Sequence, residues 1–138
     1  VDTVLDVGCG GGLPSVPLAL LLPHVSVVGV DAVGKKAAFV NQVAIELGLK
    51  NLTARHARVE KMVGTWKAIT SRAFASLADF THLTMHLLAS DGRWLAMKGV
   101  VPEDEIAALP SNVKVLAIEK LVVPGLEEER HLIVLGKE

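Results

Sequence analysis

A glycine-rich segment near the start of the chain limits its possible folds more than any other feature. Residues 6–12 read Asp-Val-Gly-Cys-Gly-Gly-Gly; they close the apolar stretch Val1–Val7 and precede the helix-like stretch Pro14–Leu22. Glycines let the backbone take positive φ angles and let a ligand approach it closely. The N–H groups at the start of the following helix add a binding edge. The segment therefore predicts the strand–turn–helix unit of an α/β protein that binds a nucleotide-like ligand.

The chain as a whole alternates between strand-like and helix-like stretches. Strands are predicted at Val1–Val7, Val25–Val30, Asn51–Arg55, Ala68–Ser71, Arg93–Met97, Val113–Val123 and His131–Leu135. Helices are predicted at Pro14–Leu22, Lys35–Leu47, Leu77–Leu88 and Glu103–Leu109. This alternation is typical of an α/β protein with a mostly parallel sheet and helices on both faces. No helix separates the last two strands, so we expect them to pair antiparallel. Seven strands with an antiparallel last strand resemble the Rossmann-like class I fold of methyltransferases that use S-adenosylmethionine (AdoMet).

Two local patterns make this prediction more specific. The helix predicted at residues 35–47 has apolar side chains spaced to share one face: Phe39, Val40, Val43 and Leu47. Such spacing indicates the face that packs against the sheet. The pair Asp91-Gly92 is a common turn sequence and predicts a turn before the strand that begins at Arg93.

Length and composition fit one domain that covers residues 1–138. Hydrophobic residues make up 51% of the chain and aromatic residues only 4%, so aliphatic side chains must build the core, as in buried parallel sheets. The net charge of −1 excludes a protein that binds nucleic acid as an overall polycation, so any such contact needs a local patch.

The single cysteine excludes an internal disulfide framework and favours the reducing cytoplasm. No apolar run is long enough to cross a bilayer, so we expect no membrane partner. The chain begins at Val1, within a predicted strand, so we also expect a preceding segment.

Asp6 and the spacing of the glycines favour AdoMet over a nicotinamide cofactor at the glycine turn. Asp6 lies two residues before Gly8, and the glycines are spaced Gly-x-Gly-x-Gly rather than Gly-x-Gly-x-x-Gly. Asp31 ends the next strand, where a carboxylate that binds ribose hydroxyls belongs. The alternative for Asp31 is a plain turn-forming aspartate. Cys9 lies within the turn, and we interpret it as a small packing residue rather than a nucleophile.

Basic residues cluster at the predicted carboxyl ends of the strands. The set comprises Lys35, Lys36, Arg55, Arg58, Arg72, Lys98 and Arg130. Such a rim would give a nearly neutral protein the local field that a phosphate backbone requires. Arg72 stands where many amino-group methyltransferases carry an Asn/Asp-Pro-Pro-aromatic motif, so it favours an anionic or π-rich substrate. A surface arginine in a local salt bridge, and lysines merely solvated on a helix, are the alternatives.

The sequence gives little support for a metal site or for a catalytic nucleophile. His82 and His86 are four residues apart, but no third ligand accompanies them, so we expect no metal site. The Gly-x-Ser-x-Gly pattern of serine hydrolases is absent.

Taken together, these motifs resemble the RsmG/GidB family of bacterial 16S rRNA guanine-N7 methyltransferases, along the whole chain. The matching segments are Asp6–Pro14, Asp31–Lys36, Arg58–Glu60, Ser71–Leu77, Met97–Gly99, Pro102–Ile106 and Glu129–Leu132. The family has a helical segment before the first strand, which agrees with the expectation of a segment that precedes Val1. Two departures concern the cofactor loops: Leu13-Pro14-Ser15 replaces the usual Phe-Pro-Gly, and Ala32 stands where the family often has Ser.

The resemblance implies a reaction and a set of roles. A methyl group would pass from AdoMet to N7 of one guanine in small-subunit ribosomal RNA, either free or in a ribosomal particle. Residues implied to bind the cofactor are Asp6, Gly8, Gly10, Gly12, Leu13, Asp31, Val59, Glu60 and Arg72. Residues implied to act on the RNA are Arg72, which would orient the guanine, and Lys98 and Arg130, which would contact phosphate, with Lys36 and Arg58 assisting.

Two other functions stay open on the sequence alone. One is a methyltransferase of the same fold that acts on a small molecule, which would need a lid over the pocket instead of a positive rim. The other is a non-enzymatic or NAD-binding Rossmann domain, which competition between AdoMet and NAD would reveal.

Overall fold

The computed structural model describes residues 2–72, 76–122, 124–125 and 128–138. Several predictions fall partly outside these residues: the start of the first strand at Val1, the centre of the Ser71–Leu77 motif and the strand end at Val123. The described strands are β1 (Thr3–Val7), β2 (Ser26–Asp31), β3 (Leu52–His56), β4 (Trp66–Ser71), β5 (Leu88–Lys98), β6 (Val113–Leu121) and β7 (Arg130–Lys137).

These strands form one sheet in the order β3-β2-β1-β4-β5-β7-β6. Strands β1 to β5 pair in parallel, whereas β7 runs antiparallel to both β5 and β6. The predicted fold class is therefore confirmed, including the antiparallel last strand. The strand order reverses between β1 and β4, and ligands of open α/β sheets bind outside the carboxyl ends at such a point.

Helices cover both faces of the sheet. They are α1 (Ser15–Leu21), α2 (Gly34–Glu46), α3 (Leu77–Thr84) and α4 (Glu103–Ala107), with short 3-10 turns at Val59–Lys61 and Met85–Leu87. One apolar cluster joins Val4 and Val27 of the sheet to Val40 of α2. The other joins Leu5 on the opposite face of β1 to Phe80 of α3. Alternate residues of β1 thus point into two separate cores, because side chains of a strand alternate between faces.

The turn predicted at Asp91-Gly92 is wrong. Both residues lie inside β5, which begins at Leu88 and shows a register shift against β4 near this point. A Cβ on Gly92 would lie 2.9 Å from the carbonyl oxygen of Lys67, so the glycine permits the close approach of two strands. The pair therefore marks a strand irregularity rather than a chain reversal.

The helices lie close to their predicted positions, but two details of the predictions need correction. The buried side chains of α2 are Ala37, Val40 and Ala44, whereas Phe39 and Leu47 are more than half exposed. The contact face is therefore built from smaller residues, which let the helix lie close to the sheet. The long helix predicted to reach Leu88 ends at Thr84 and tightens into a 3-10 turn before β5.

Thr84 tests the packing between α3 and β5. The indole N–H of Trp94 donates to Thr84 Oγ1 at 2.9 Å, and that hydroxyl donates to the carbonyl oxygen of Phe80 at 2.6 Å; Trp94 and Thr84 are fully buried. Thr84→Val keeps the shape and leaves the indole N–H unpaired, so we expect a loss of about 1–3 kcal/mol in the free energy of unfolding.

Urea titration followed by tryptophan fluorescence measures this loss. The matched control is Thr53→Val on the exposed face of β3, which we expect to change stability by less than about 0.5 kcal/mol. Equal effects of the two substitutions would contradict the assigned hydrogen bond.

Candidate active site

The glycine turn links the carboxyl ends of β1 and β2. Gly8 and Gly10 have φ angles of 73° and 39°, a region that side chains with a Cβ rarely adopt. The N–H groups of Gly8 and Cys9 both donate to the carbonyl oxygen of Val30, at 2.8 and 3.1 Å. The turn therefore lies flat across the ends of the two strands.

Asp31 fastens this turn from the side. One oxygen of its carboxylate accepts from the N–H of Gly10 at 3.0 Å, and the other accepts from the N–H of Val33 at 2.9 Å. The first bond joins residues that are 21 positions apart, so it fixes the turn to the end of β2. Asp31 is only partly buried, and its free edge faces the cavity described next.

The first cavity, about 380 Å³, opens at the carboxyl ends of β1, β2 and β4. Its lining comprises Val7, Gly8, Gly10, Val30, Asp31, Ala32, Lys36, Ala57, Arg58, Val59, Glu60, Ser71 and Leu83. It brings together five of the residues that the sequence assigned to the cofactor: Gly8, Gly10, Asp31, Val59 and Glu60. Its walls combine apolar side chains with a few charged groups, the composition of a pocket for a small organic molecule. Lys36 and Arg58, which the resemblance implied would assist with the RNA, line this cavity and not the second one.

The second cavity, about 440 Å³, lies on the other side of Gly8, which lines both cavities. Its lining comprises Gly8, Cys9, Gly11, Leu13, Arg72, Met97, Lys98, Gly99 and Arg130. The three cations that the sequence assigned to the substrate, Arg72, Lys98 and Arg130, are therefore brought together around one space. No acidic residue belongs to the described lining of this cavity.

The three cations differ in what holds them. Lys98 forms an ion pair with Glu105, with 3.0 Å between Nζ and Oε1. Arg130 pairs with Glu128 at 2.7 Å and also donates to the carbonyl oxygen of Glu129. Arg72 is exposed and forms no ion pair within the described part of the chain. Arg72 is therefore the cation of this set that is left free to meet an incoming anionic group.

Asp6 lies beneath the glycine turn instead of in either cavity. It is buried, and its carboxylate accepts a short hydrogen bond from the hydroxyl of Ser15 at the start of α1. Burial raises its pKa to about 6, although the Ser15 hydrogen bond and, to a smaller extent, the positive charge of Arg72 oppose the increase. The pair joins β1 to α1 and so supports the turn from below.

Two other residues of the glycine turn, Gly12 and Cys9, pack closely against neighbouring residues. Gly12 lines neither cavity, and a Cβ on it would lie 2.8 Å from Val16 Cγ2. Cys9 is fully buried against Gly29, where an added Cβ would meet its Cβ at 2.8 Å. Burial raises the pKa of the Cys9 thiol to about 11, so it stays protonated and is a poor nucleophile near neutral pH.

Among the described residues, no group of three or more His, Cys, Asp or Glu side chains could hold a metal ion. The ring of His86 forms a hydrogen bond with the carbonyl oxygen of Met62, at 3.1 Å, and not with a ligand shared with His82. No described helix has both the length and the apolar character needed to cross a membrane.

Comparison with known proteins identifies the family. The family model of GidB, described as rRNA small subunit methyltransferase G, matches residues 1–133. The chain belongs to the GidB family. The resemblance drawn from the sequence motifs is thereby confirmed.

Several curated proteins named ribosomal RNA small subunit methyltransferase G are close relatives of this GidB chain. The one from Methylibium petroleiphilum is 53% identical over 136 residues, which cover 98% of this chain and 62% of that protein. The one from Aromatoleum aromaticum is 50% identical, covering 99% of this chain and 68% of that protein. The chain thus spans about three fifths of the length of the first relatives it matches.

Solved structures agree with the fold of the GidB chain. TrmN from Thermus thermophilus superposes with a TM-score of 0.81 at 21% identity, covering 99% of this chain and 44% of that chain. Coclaurine N-methyltransferase, solved with N-methylheliamine and SAH, superposes with a TM-score of 0.70 at 15% identity, covering 88% and 47%. At these identities the likeness concerns the fold alone, and the fold is that of class I methyltransferases.

Sequence reasoning missed several residues around the cavities of this GidB chain. Ser71 is buried at the end of β4 and lines the first cavity, as do Ala57 and Leu83. The position of Ser71 at a strand end could have indicated it. Leu83 gave no such signal, because it reaches the cavity from the second turn of α3 and reads in the sequence as an ordinary core residue.

The raised pKa of Asp6 predicts a dependence of stability on pH. The folded state keeps the proton up to about pH 6, whereas the unfolded chain releases it near 3.8. The contribution to stability is therefore fully present below the unfolded value and is lost as the pH rises to about 6. Relative to Asp6→Asn, we expect the wild-type free energy of unfolding to fall by about 3 kcal/mol across this window.

Urea titrations of both proteins between acidic and neutral pH measure this difference. Ser15→Ala provides a directional check, because removing a hydrogen bond that lowers the pKa of Asp6 should extend the window upward. Parallel pH profiles for wild type and Asp6→Asn would show that Asp6 has no shifted titration.

Proposed function

We propose that this chain is the catalytic core of an enzyme that transfers a methyl group from AdoMet to N7 of a guanine in 16S ribosomal RNA. The observation that carries the proposal is the pair of cavities on either side of Gly8. The first cavity combines apolar walls with two carboxylates and two cations, whereas the second has three cations and no acidic residue in its described lining. A nucleoside-like donor and a polyanionic acceptor require these two environments side by side.

The first cavity suits the adenosyl part of AdoMet. The partly exposed Asp31 carboxylate would accept the two ribose hydroxyls, and it is held in place by its bonds to Gly10 and Val33. Val59 and Glu60 on the 3-10 turn would lie beside the adenine. The cavity volume falls within the range of small-molecule sites, about 300–1,000 Å³. The lining also carries the cations Lys36 and Arg58, so the preference for AdoMet over NAD rests on the methyltransferase family and not on the charge of this cavity.

The second cavity suits a guanine that has been turned out of the RNA. The free guanidinium of Arg72 would bind a phosphate or O6 of the base, because N7 itself must face the methyl group. Arg130 would meet a flanking phosphate after leaving Glu128. Leu13 is half exposed at the edge of the same cavity and offers an apolar surface to the base or the methionyl chain.

The chemistry requires positioning more than proton transfer. The lone pair of N7 forms a bond to the methyl carbon while the carbon–sulfur bond breaks, and S-adenosylhomocysteine leaves. N7 carries no proton, so no general base is needed. This agrees with the second cavity, whose described lining has cations but no acidic residue. Gly8, which lines both cavities, would let donor and acceptor approach along one line.

The partner would be small-subunit RNA, free or within a ribosomal particle, in the cytoplasm. The nearly neutral chain carries its substrate-facing positive charge at this one edge, so binding should weaken steeply with added salt.

Asp31 tests the cofactor half of the proposal. Asp31→Ala removes both the ribose acceptor and the bond that holds Gly10, so we expect AdoMet affinity to fall at least about tenfold. Calorimetric titration with AdoMet measures it, and competition with NAD tests the rival cofactor. Asp91→Asn, at the opposite edge of the sheet, is the control. Unchanged AdoMet affinity in Asp31→Ala would reject the ribose assignment.

Arg72 tests the acceptor half. The complete gene product is supplied with methyl-labelled AdoMet and unmodified small-subunit RNA, free and in particles, and the label is mapped. We expect label at one guanine N7. We expect Arg72→Ala to reduce transfer at least about a hundredfold while AdoMet affinity stays nearly unchanged.

Arg93→Ala, at the opposite edge of the sheet, is the matched control and should transfer normally. Equal loss of AdoMet binding and transfer in Arg72→Ala would move Arg72 into the cofactor site. AdoMet binding without label on either RNA substrate would overturn the RNA substrate and favour a small molecule.

A further inference from the structure

The carboxylate of Glu105 links its own helix to a strand and to a second helix at the wall of the second cavity. Its Oε1 accepts from the backbone N–H of Leu77 at 2.9 Å and pairs with Nζ of Lys98 at 3.0 Å. Glu105 belongs to the short helix α4, whereas Leu77 begins α3 and Lys98 ends β5. One side-chain oxygen of α4 therefore links the end of the neighbouring strand β5 to the start of α3, 28 residues earlier in the chain.

Oε1 of Glu105 contacts two groups that each need an acceptor, the Leu77 N–H and the Lys98 ammonium. The first N–H groups of a helix have no acceptor within the helix, so Leu77 depends on an outside group. A carboxylate there also interacts favourably with the helix dipole. The Lys98 and Glu105 side chains are 18% and 30% exposed, which shields their ion pair from solvent more than a surface pair. The contact is thus better suited to fixing positions than the open pair of Arg130 and Glu128, which are 41% and 66% exposed.

Both groups that contact Glu105 affect the positions of the cations in the second cavity. Lys98 lines that cavity directly. Leu77 lies five residues after Arg72, so the point at which α3 begins limits where the backbone of Arg72 can be. At its other end, Arg72 directly follows Ser71, which is held by strand pairing with Val7 and Ala96.

We infer that Glu105 is a positioning residue for methyl transfer. It holds the Lys98 ammonium at the wall of the second cavity and anchors the start of α3, five residues after Arg72, so that the acceptor nucleotide meets cations whose spacing is already set. The inference rests on the proposed function. It assigns Lys98 a different part from the simple phosphate contact expected from the sequence, because its charge is already shared with Glu105.

The neighbouring Asp104 provides a matched control. Glu105→Gln and Asp104→Asn each remove one negative charge from α4, and Asp104 is exposed on the same helix. Their effects on the long-range attraction of RNA should therefore be equal. Only Glu105→Gln removes the ion pair with Lys98, while its amide oxygen can still accept from Leu77.

The measurement is steady-state methyl transfer to small-subunit RNA by the complete gene product, with kcat and KM determined separately. For Glu105→Gln we expect kcat to fall about tenfold, and AdoMet affinity to stay within about twofold of wild type. Asp104→Asn should keep the wild-type kcat. Glu105→Ala, which loses both contacts, should lower kcat further than Glu105→Gln.

A double-substitution test separates positioning from simple stability. If Glu105 acts through Lys98, then Glu105→Gln should change kcat much less in a Lys98→Gln background than in the wild type. A merely structural role would lower kcat equally in both backgrounds, and that result would overturn the inference.

The inference and the proposed function fail in different ways. Wild-type protein that transfers no methyl to RNA would overturn the proposed function. Active wild-type protein with the same kcat in Glu105→Gln and Asp104→Asn would overturn only the role of Glu105.

Discussion

The hydrogen bond from the Gly10 N–H to Asp31 is the contact on which the site depends most. It ties the glycine turn to the end of β2, and the turn separates the two cavities. The bonds from Gly8 and Cys9 to Val30 hold the start of the turn on β2, and the bond to Asp31 adds the link between the turn and the carboxylate of the first cavity. Asp6 and Ser15 support the same turn from beneath, at the cost of burying a carboxyl group whose pKa rises to about 6.

Much of the fold could be predicted from local patterns. Apolar runs followed by glycine or aspartate mark strand ends in parallel sheets, and all seven strands were found near their predicted positions. The errors have a common cause. At Asp91-Gly92, a sequence typical of turns is overridden by pairing along β5, and in α2 the small residues Ala37 and Ala44 face the sheet. Both outcomes are decided by tertiary contacts that local propensity does not encode.

The candidate site was predicted as a set of residues but not as an arrangement. Parallel topology brings strand ends together, so Asp31, Arg72 and Lys98 could be placed at one edge from sequence alone. The spacing of residues in the sequence does not show on which side of the glycine turn each of these side chains lies. It also does not show which of the cations already forms an ion pair. The ion pair of Lys98 with Glu105 joins residues on separate elements, and nothing in either local sequence indicates it.

The insertion of β7 between β5 and β6 has a consequence for the order of assembly. Within the sheet β6 pairs with β7 alone, so it cannot join the sheet until the last of the seven strands has been made. Arg130 is the first residue of β7, and it also lines the second cavity. During synthesis on the ribosome, the chain would therefore complete its glycine turn and first cavity early and its cationic cavity last. Partly made chains would lack the full set of cations around the second cavity.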